Sequence, residues 1–344
     1  MRIDEIARKA HVSRSTVSRV LNGNPNVRSN TREAVERVIR EMNYVPNAAA
    51  RSLASRRAGV VGVVLQNVMQ PYWAGMFAGI ESELVQRGYG VLLANCRTRI
   101  SPHDFLGNRM RVLRNLLIQN VDGVVIALDG DLERDEIDML ESSGKPFVVI
   151  QNTVPDDRIV SVNVDNVLNG QTITDYLCRC GHRVIWHAAG PLGSSIAKQR
   201  LEGFLSSART HHLVIDDSSI VNCGSLFDDG YWCMRRILGQ SRLPTALFFQ
   251  NDISAYGAML AAREQHVDIP GDISIAGIDR LSAMMDISGL LPDLTSMEMP
   301  VVRLGATAIQ MIVQMIESGE RPESVVLPCE LHIGATVRVL SEQA

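Results

Sequence analysis

The sequence contains no CxxC pair. Its six cysteines, Cys96, Cys178, Cys180, Cys223, Cys233 and Cys329, are scattered, and only Cys178 and Cys180 stand close together. The spacing offers no start for a zinc or thiol-redox centre, and the thiols read as buried or inert groups of a reducing compartment. None of the eight histidines pairs with Cys or carboxylates at metal-ligand spacing, so no metal is expected. No G-x-S-x-G, P-loop or G-x-G-x-x-G fingerprint stands where chemistry would need it, which argues against an enzyme and against a bound cofactor. No apolar run is long enough to span a bilayer. The first twenty residues are charged and amphipathic rather than a signal peptide, so the expected location is the cytoplasm, away from membranes. Internal repeats of 20–50 residues and low-complexity tracts are also missing.

What is present divides by charge. The net charge is −4, yet residues 1–60 hold 12 Lys and Arg against 5 Asp and Glu, a balance of +7. The remainder holds 22 against 33, a balance of −11. A basic head on an acidic body is the pattern of a DNA-binding segment attached to something else. A length of 344 residues with 46% hydrophobic residues supports two or three units with a sizeable core.

The head carries the strongest pattern. Ile3, Ile6, Ala7 and Ala10 fall at i, i+3, i+4, i+7, one apolar face of a helix. Ser13 offers an N-cap oxygen, and Val17, Val20 and Leu21 repeat the spacing on a second helix. Its other face carries Arg14, Ser15, Ser18, Arg19 and Asn22. Arg can bond guanine O6 and N7, and Ser and Asn suit base edges or phosphates, so the pair reads as a helix-turn-helix. An amphipathic hairpin within a larger bundle satisfies the spacing equally well. After the turn cluster Gly23-Asn24-Pro25-Asn26, a third helix is predicted with Ala34, Val35, Val38, Ile39 and Met42 as its stripe and a capping-box spacing from Asn30 to Glu33.

Residues 47–57 are rich in Ala and Arg, with Leu53 almost the only large apolar group. Such a helix buries too little to stand alone; it is either a solvated linker or a segment that folds against DNA and a partner. From Gly59 the pattern becomes βα alternation. Strands are predicted at Val60–Leu65 and near 90–95, 123–127, 147–151, 184–187, 246–249 and 273–276, with a helix near 72–87. Near-continuous apolar strands between helices mean parallel sheets covered on both faces. About ten such units exceed one sheet, so two lobes are expected, with ligands at the carboxyl ends of strands.

The whole chain resembles the bacterial lactose-repressor (LacI/GalR) family of transcription regulators. In the head the resemblance rests on Val12-Ser13, Thr16-Val17-Ser18-Arg19-Val20-Leu21-Asn22-Gly23, Tyr44-Val45-Pro46-Asn47 and Ala50-Arg51-Ser52-Leu53. In the body it rests on Gly181-His182-Arg183, Arg200-Leu201-Glu202-Gly203-Phe204, Asn251-Asp252, Ile269-Pro270-Gly271-Asp272 and Gly277-Ile278-Asp279. The resemblance implies an all-α helix-turn-helix head over residues 1–46, a hinge over 47–58 and an α/β periplasmic-binding-protein-like body of two doubly wound lobes over 59–344. The first lobe is expected at about 59–160 and 290–321, the second at about 161–289 and 322–340.

By the same resemblance, the protein is a homodimer on a near-palindromic double-stranded DNA operator, most simply a repressor by steric occlusion. Arg14, Ser15 and Arg19 lie where base contacts are made, with Ser13, Thr16, Ser18 and Asn22 as phosphate or supporting positions. Asn47, Arg51 and Leu53 belong to the DNA-contacting hinge, Leu53 as the minor-groove wedge. Tyr72, Trp73, Gln151, Arg200, Asn251 and Asp279 are carried over as effector-binding residues. Their donors, acceptors and ring faces suit a sugar or sugar derivative, with a nucleobase or nucleoside as the alternative. The sequence departs from the family at His11, where the turn usually has Gly, at Arg2, where a capping Thr or Ser is usual, and at Ser225, where a bulky aromatic is frequent. It also lacks a leucine heptad tail, which favours a dimer. A solute-binding protein for transport is the remaining alternative, disfavoured by the basic head.

Overall fold

A computed structural model describes residues 3–21, 24–42, 44, 57–96, 105–154, 156–285 and 291–340. The chain forms two compact units, Met1–Gly59 and Val60–Ala344.

In the first unit, helices span Ile3–Lys9, Arg14–Leu21 and Ser29–Glu41. The apolar spacing does what the sequence requires: Ile6, Ala7, Val17, Val20, Val35 and Val38 form one buried cluster, with Ile3, Ala10, Leu21, Ile39 and Met42 packed around it. Ser13 caps the second helix, its Oγ accepting from the Thr16 amide at 3.1 Å. The third helix begins differently from the expectation. Its N-cap is Arg28, which makes no side-chain cap bond, and Ser29 Oγ donates to Glu33 Oε1 at 3.0 Å. Asn30 therefore lies one residue inside the helix, because the turn Pro25–Val27 delivers the chain into helical geometry earlier than the Asn30–Glu33 spacing suggested.

His11 sits in the turn with φ 54°. The left-handed region is strained for any residue with a Cβ by about 1 kcal/mol, so the departure from Gly keeps the turn at a local cost. His11→Gly is expected to raise the stability of this unit by about 0.5–1 kcal/mol, the strain relief being partly cancelled by greater unfolded-chain entropy. Chemical denaturation of the two proteins, followed by helical circular dichroism, checks this; a less stable glycine variant would show that the imidazole contributes something the turn geometry does not.

The second unit holds two six-stranded sheets. The first has the order β11-β5-β4-β3-β1-β2, from β1 (Val60–Leu65), β2 (Gly90–Asn95), β3 (Gly123–Ala127), β4 (Phe147–Ile150), β5 (Val160–Val164) and β11 (Val325–Leu327). All its pairings are parallel. The second has the order β12-β10-β9-β8-β6-β7, from β6 (Ile185–Ala189), β7 (Ile220–Asn222), β8 (Ala246–Phe249), β9 (Ser274–Asp279), β10 (Thr295–Glu298) and β12 (Glu330–His332). Here only the β10–β12 pair is antiparallel. In each sheet the strand order reverses, about β1 and about β6, and such switch points open a crevice at the carboxyl edge.

The chain passes between lobes three times: after β5, after β10 and between β11 and β12. The lobe boundaries expected from the sequence shift accordingly. Residues 161–164 and 325–327 pair in the first sheet, and 295–298 pair in the second. An apolar run marks a strand, but the sheet it joins is set by distant partners that the run does not name.

Among the described residues, three helix–helix seams of the second unit are each built on two facing glycines. They are Gly79 and Gly305 between helices Pro71–Gln86 and Val301–Ser318, Gly170 and Gly203 between Asn166–Arg179 and Ser195–Thr210, and Gly230 and Gly257 between Phe227–Leu238 and Asp252–Glu264. A Cβ at any of the six would stand 1.8–2.3 Å from a carbonyl oxygen of the facing helix.

Candidate functional site

The first unit presents one continuous polar face. Val17 and Val20 turn into the core, so the helix Arg14–Leu21 leaves Arg14, Ser15 and Arg19 exposed and Thr16 and Ser18 half-buried. Arg14 stands 3.8 Å from Asp4, an exposed pair too weak to withhold the guanidinium. Ser13 is exposed and its hydroxyl, besides capping, lies 2.8 Å from both Ser15 Oγ and Thr16 Oγ1. A base-contacting Ser15 would exchange that bond for one to DNA. Asn22, Asn47, Arg51 and Leu53 lie outside the described residues, as does Arg2.

In the second unit, Tyr72, Trp73, Gln151, Arg200, Asn251 and Asp279 all line one cavity, with an empty volume of about 610 Å3 including its mouth. Strand ends and helix starts explain the convergence. Gln151 and Asp279 sit at the carboxyl ends of β4 and β9, Asn251 two residues past β8, and Tyr72 and Trp73 in the first turn of a helix opened by Pro71. The sequence reading missed Gln70, Asp129, Ser194 and Gln250, which share the lining. Asp129 and Gln250 lie just beyond β3 and β8, so the strand-end rule could have found them.

A hydrogen-bond chain links the lobes beneath this cavity. Gln151 Nε2 donates to the Tyr72 hydroxyl. Asn166 Nδ2 donates to Gln151 Oε1 at 3.3 Å, and Arg200 Nε donates to Asn166 Oδ1 at 3.0 Å. Arg200 Nη1 donates to the Gln250 carbonyl. Asn166, at the first crossing between lobes, thus aligns the Arg200 guanidinium with the Gln151 amide. Across the mouth, Ser194 Oγ donates to Asp129 Oδ1 at 2.8 Å, a second bond between lobes.

Charge in the site is held against burial. Arg200 Nη2 is 3.9 Å from Asp279 Oδ1, too long to offset desolvation of the carboxylate. Burial therefore drives the Asp279 pKa well above the ordinary carboxyl range, with Arg200 pulling it down less strongly. The Tyr72 hydroxyl is also pushed up, by burial first and then by Asp279. Asp252, below the cavity, is raised to about 6 by burial, against bonds from Ser296 Oγ at 2.7 Å and the Leu281 amide at 2.9 Å. His187, behind the Phe248 ring, is pushed down to about 3 by burial and is neutral.

Two lining residues have further duties. Asn251 caps the helix Asp252–Glu264 by accepting from the Ser254 amide at 3.2 Å, and its Nδ2 donates to the Ser225 carbonyl at 3.0 Å. Trp73 belongs to the hydrophobic core and meets Tyr72 edge-on, centroids 5.1 Å apart. Ser225 does line the cavity, while Phe227 packs against the second lobe's core. Gln151 and Asp279 have φ of 62° and 131°. Non-glycine residues held in this region collect at ligand sites, and no sequence signal announces them. Among the described residues, no three His, Cys, Asp or Glu side chains are grouped to hold a metal, and no helix is long and apolar enough to cross a membrane.

Both units have counterparts among known proteins. Residues 2–47 match the family model described as bacterial regulatory proteins, lacI family. Residues 58–335 match the one described as periplasmic binding proteins and sugar binding domain of LacI family. The chain is 31% identical over 337 residues to the HTH-type transcriptional repressor PurR of Pasteurella multocida, covering 98% of this chain and 97% of that protein. Among solved structures it is similar to the lac repressor dimer bound to operator and the anti-inducer ONPF, at a TM-score of 0.84 and 26% identity, with 98% and 99% of the two chains covered. It is also similar to the transcriptional regulator CelR in complex with cellobiose, at a TM-score of 0.70 and 28% identity with the same coverage.

Proposed function

Because the chain belongs to the lacI family of bacterial regulatory proteins, we propose that it is a transcriptional repressor whose affinity for an operator is set by a sugar-like effector held between its two lobes. The observation that carries the effector is the convergence of Trp73, Gln151, Arg200, Asn251 and Asp279 from both lobes on one cavity. Neutral amides, one guanidinium and carboxylates give the paired donors and acceptors that sugar hydroxyls need. The cellobiose complex of CelR supports the same class. An effector bridging the lobes favours one lobe arrangement over another only by binding it more tightly, and that difference is all it can transmit.

The DNA contacts are assigned to Arg14, Ser15 and Arg19 for base edges and to Ser13, Thr16, Ser18, Asn22, Asn47 and Arg51 for backbone and support, with Leu53 as the wedge. Two copies of the chain on a near-palindromic operator complete the reading, supported by the lac repressor dimer on its operator. Its place of action is the cytoplasm.

Arg19→Ala is expected to weaken operator binding about tenfold to a hundredfold, the range of one lost bidentate base contact. An operator selected from random duplexes with the wild-type protein supplies the probe, and electrophoretic mobility shift at fixed salt reads the affinity. Unchanged affinity would remove Arg19 from the interface. For the effector, melting temperature is measured with cellobiose, other neutral sugars, sugar acids and purines. A sugar that raises it in wild type but not in Arg200→Met supports the assignment, whereas a response to purines alone moves the reading to a nucleobase.

A further inference from the structure

The cavity wall carries more carboxylate than cation. Asp129 and Asp279 line it, against the single guanidinium of Arg200. That guanidinium is already committed. It donates to Asn166 Oδ1 at 3.0 Å and to the Gln250 carbonyl, and it stands 3.9 Å from Asp279. A third carboxyl, Asp252, is fully buried below them. Most of the remaining polar lining consists of amides and hydroxyls.

Asp129 is the more accessible of the two lining carboxylates: it is half-buried, against 5% exposure for Asp279. It is also held from two sides. Ser194 Oγ, itself placed by accepting from the Ala197 amide at 3.2 Å, donates to Asp129 Oδ1 at 2.8 Å. The Asp129 amide donates to Gln66 Oε1 at 3.4 Å. Among the described residues, Asp129 Oδ2 makes no hydrogen bond or ion pair. One oxygen is therefore fixed and the other is open to a ligand. The protein's own groups also leave the neighbouring carboxyl under-compensated. Burial pushes Asp279 well above the ordinary carboxyl range, Arg200 offsets this only in part, and Asp129 is among the charges that raise it further.

Building on the sugar-like effector proposed above, we propose that the effector is an amino sugar, its ammonium bound by Asp129 and its hydroxyls by the surrounding amides, and that Asp129 turns away sugar acids. An ammonium on Asp129 Oδ2 forms a charge-assisted bond, about twice as strong as a neutral one, with a carboxylate already ordered by Ser194. It also supplies the positive charge that Arg200, tied to Asn166 and Gln250, does not deliver to this side of the cavity. A sugar carboxylate in the same place meets Asp129 and Asp279 instead, and like charges brought together out of water repel strongly.

Melting temperature and titration calorimetry of the full chain are measured at about pH 6.5, below the α-amino pKa range. The probes are glucosamine, galactosamine and mannosamine, each beside its neutral parent, its N-acetyl derivative and the matching uronic acid, with putrescine as an ammonium lacking a sugar ring. Expected is one amino sugar that binds about tenfold more tightly than its neutral parent and N-acetyl derivative, the worth of one charge-assisted hydrogen bond, with no response to the uronic acids. Asp129→Asn keeps the acceptor for Ser194 and is expected to remove that tenfold advantage, while Asp129→Glu, which keeps the charge, retains part of it; unliganded melting curves show that both are folded. A neutral sugar bound as tightly as its amino partner, or a uronic acid bound in preference, would overturn the amino-sugar class and leave the sugar reading standing. Silence from every sugar, or a response to putrescine alone, would overturn both. An amino sugar bound equally by wild type and Asp129→Asn would overturn the seat at Asp129.

Discussion

Gly203→Ala is expected to lower the melting temperature of the body by roughly 5 °C and to abolish cavity ligand binding. The new methyl would lie 2.1 Å from the Val167 carbonyl oxygen and 2.8 Å from the Gln171 amide nitrogen. Both obstacles are backbone of the facing helix, so no side-chain rotation clears them. The two helices must part, and loss of packing along the seam costs about 3 kcal/mol, equivalent to roughly 5 °C for a unit of this size. The effect reaches function because Arg200 lies on the displaced helix, with its own carbonyl against Gly170. Separation breaks the 3.0 Å bond from Arg200 to Asn166, and with it the alignment of the guanidinium. Gly239→Ala is the control: its methyl would meet nothing closer than 3.6 Å. Scanning calorimetry of both variants decides the matter, and a Gly203→Ala protein melting with the control would mean that the seam yields without strain.

Asp252→Asn is expected to stabilise the protein in alkaline buffer and not in acid. Its carboxyl, fully buried, has a pKa of about 6 against an ordinary 3.8. A carboxyl raised in the folded state contributes stability that is complete below about pH 4 and is lost as the pH climbs through 6. At pH 8 that loss is about 3 kcal/mol, because each tenfold difference in proton affinity between folded and unfolded chain is worth about 1.36 kcal/mol. The asparagine amide escapes it and keeps the local pattern, accepting from the Leu281 amide and donating to Ser296, whose hydroxyl can rotate. The advantage over wild type should therefore grow from nothing at about pH 4 to about 2–3 kcal/mol at pH 8. Asp279, also raised by burial, leaves a residual slope in the variant. Denaturation curves at several pH values give the comparison; a constant difference would mean that Asp252 does not titrate in this window.

The head was legible because its determinants are local. The spacing of Ile6, Val17, Val20 and Val35 encodes a three-helix core, and Ser13 marks a helix start within three residues of the amide it caps. Of the six cavity residues, Arg200, Asn251 and Asp279 were legible through their motifs, Tyr72 and Trp73 through the start of the first-lobe helix, and Gln151 through its strand end. Long-range choices were not. Nothing near Thr295 or Val325 in the sequence says which sheet each strand joins. Asn166 looks like any residue opening a helix, yet it joins Gln151 to Arg200 across 15 and 34 residues of chain.

The triple passage between lobes also has a consequence for biosynthesis. The first sheet draws its edge strand from Val325–Leu327 and one covering helix from Val301–Ser318. A nascent chain that has finished β1 to β5 still lacks both, and the Gly79 seam has no facing helix to close on. The lobe begun first on the ribosome cannot be completed until nearly the whole second lobe has emerged. The two must mature together near the end of translation, and chains interrupted before residue 301 should expose that unfinished apolar surface to chaperones and proteases.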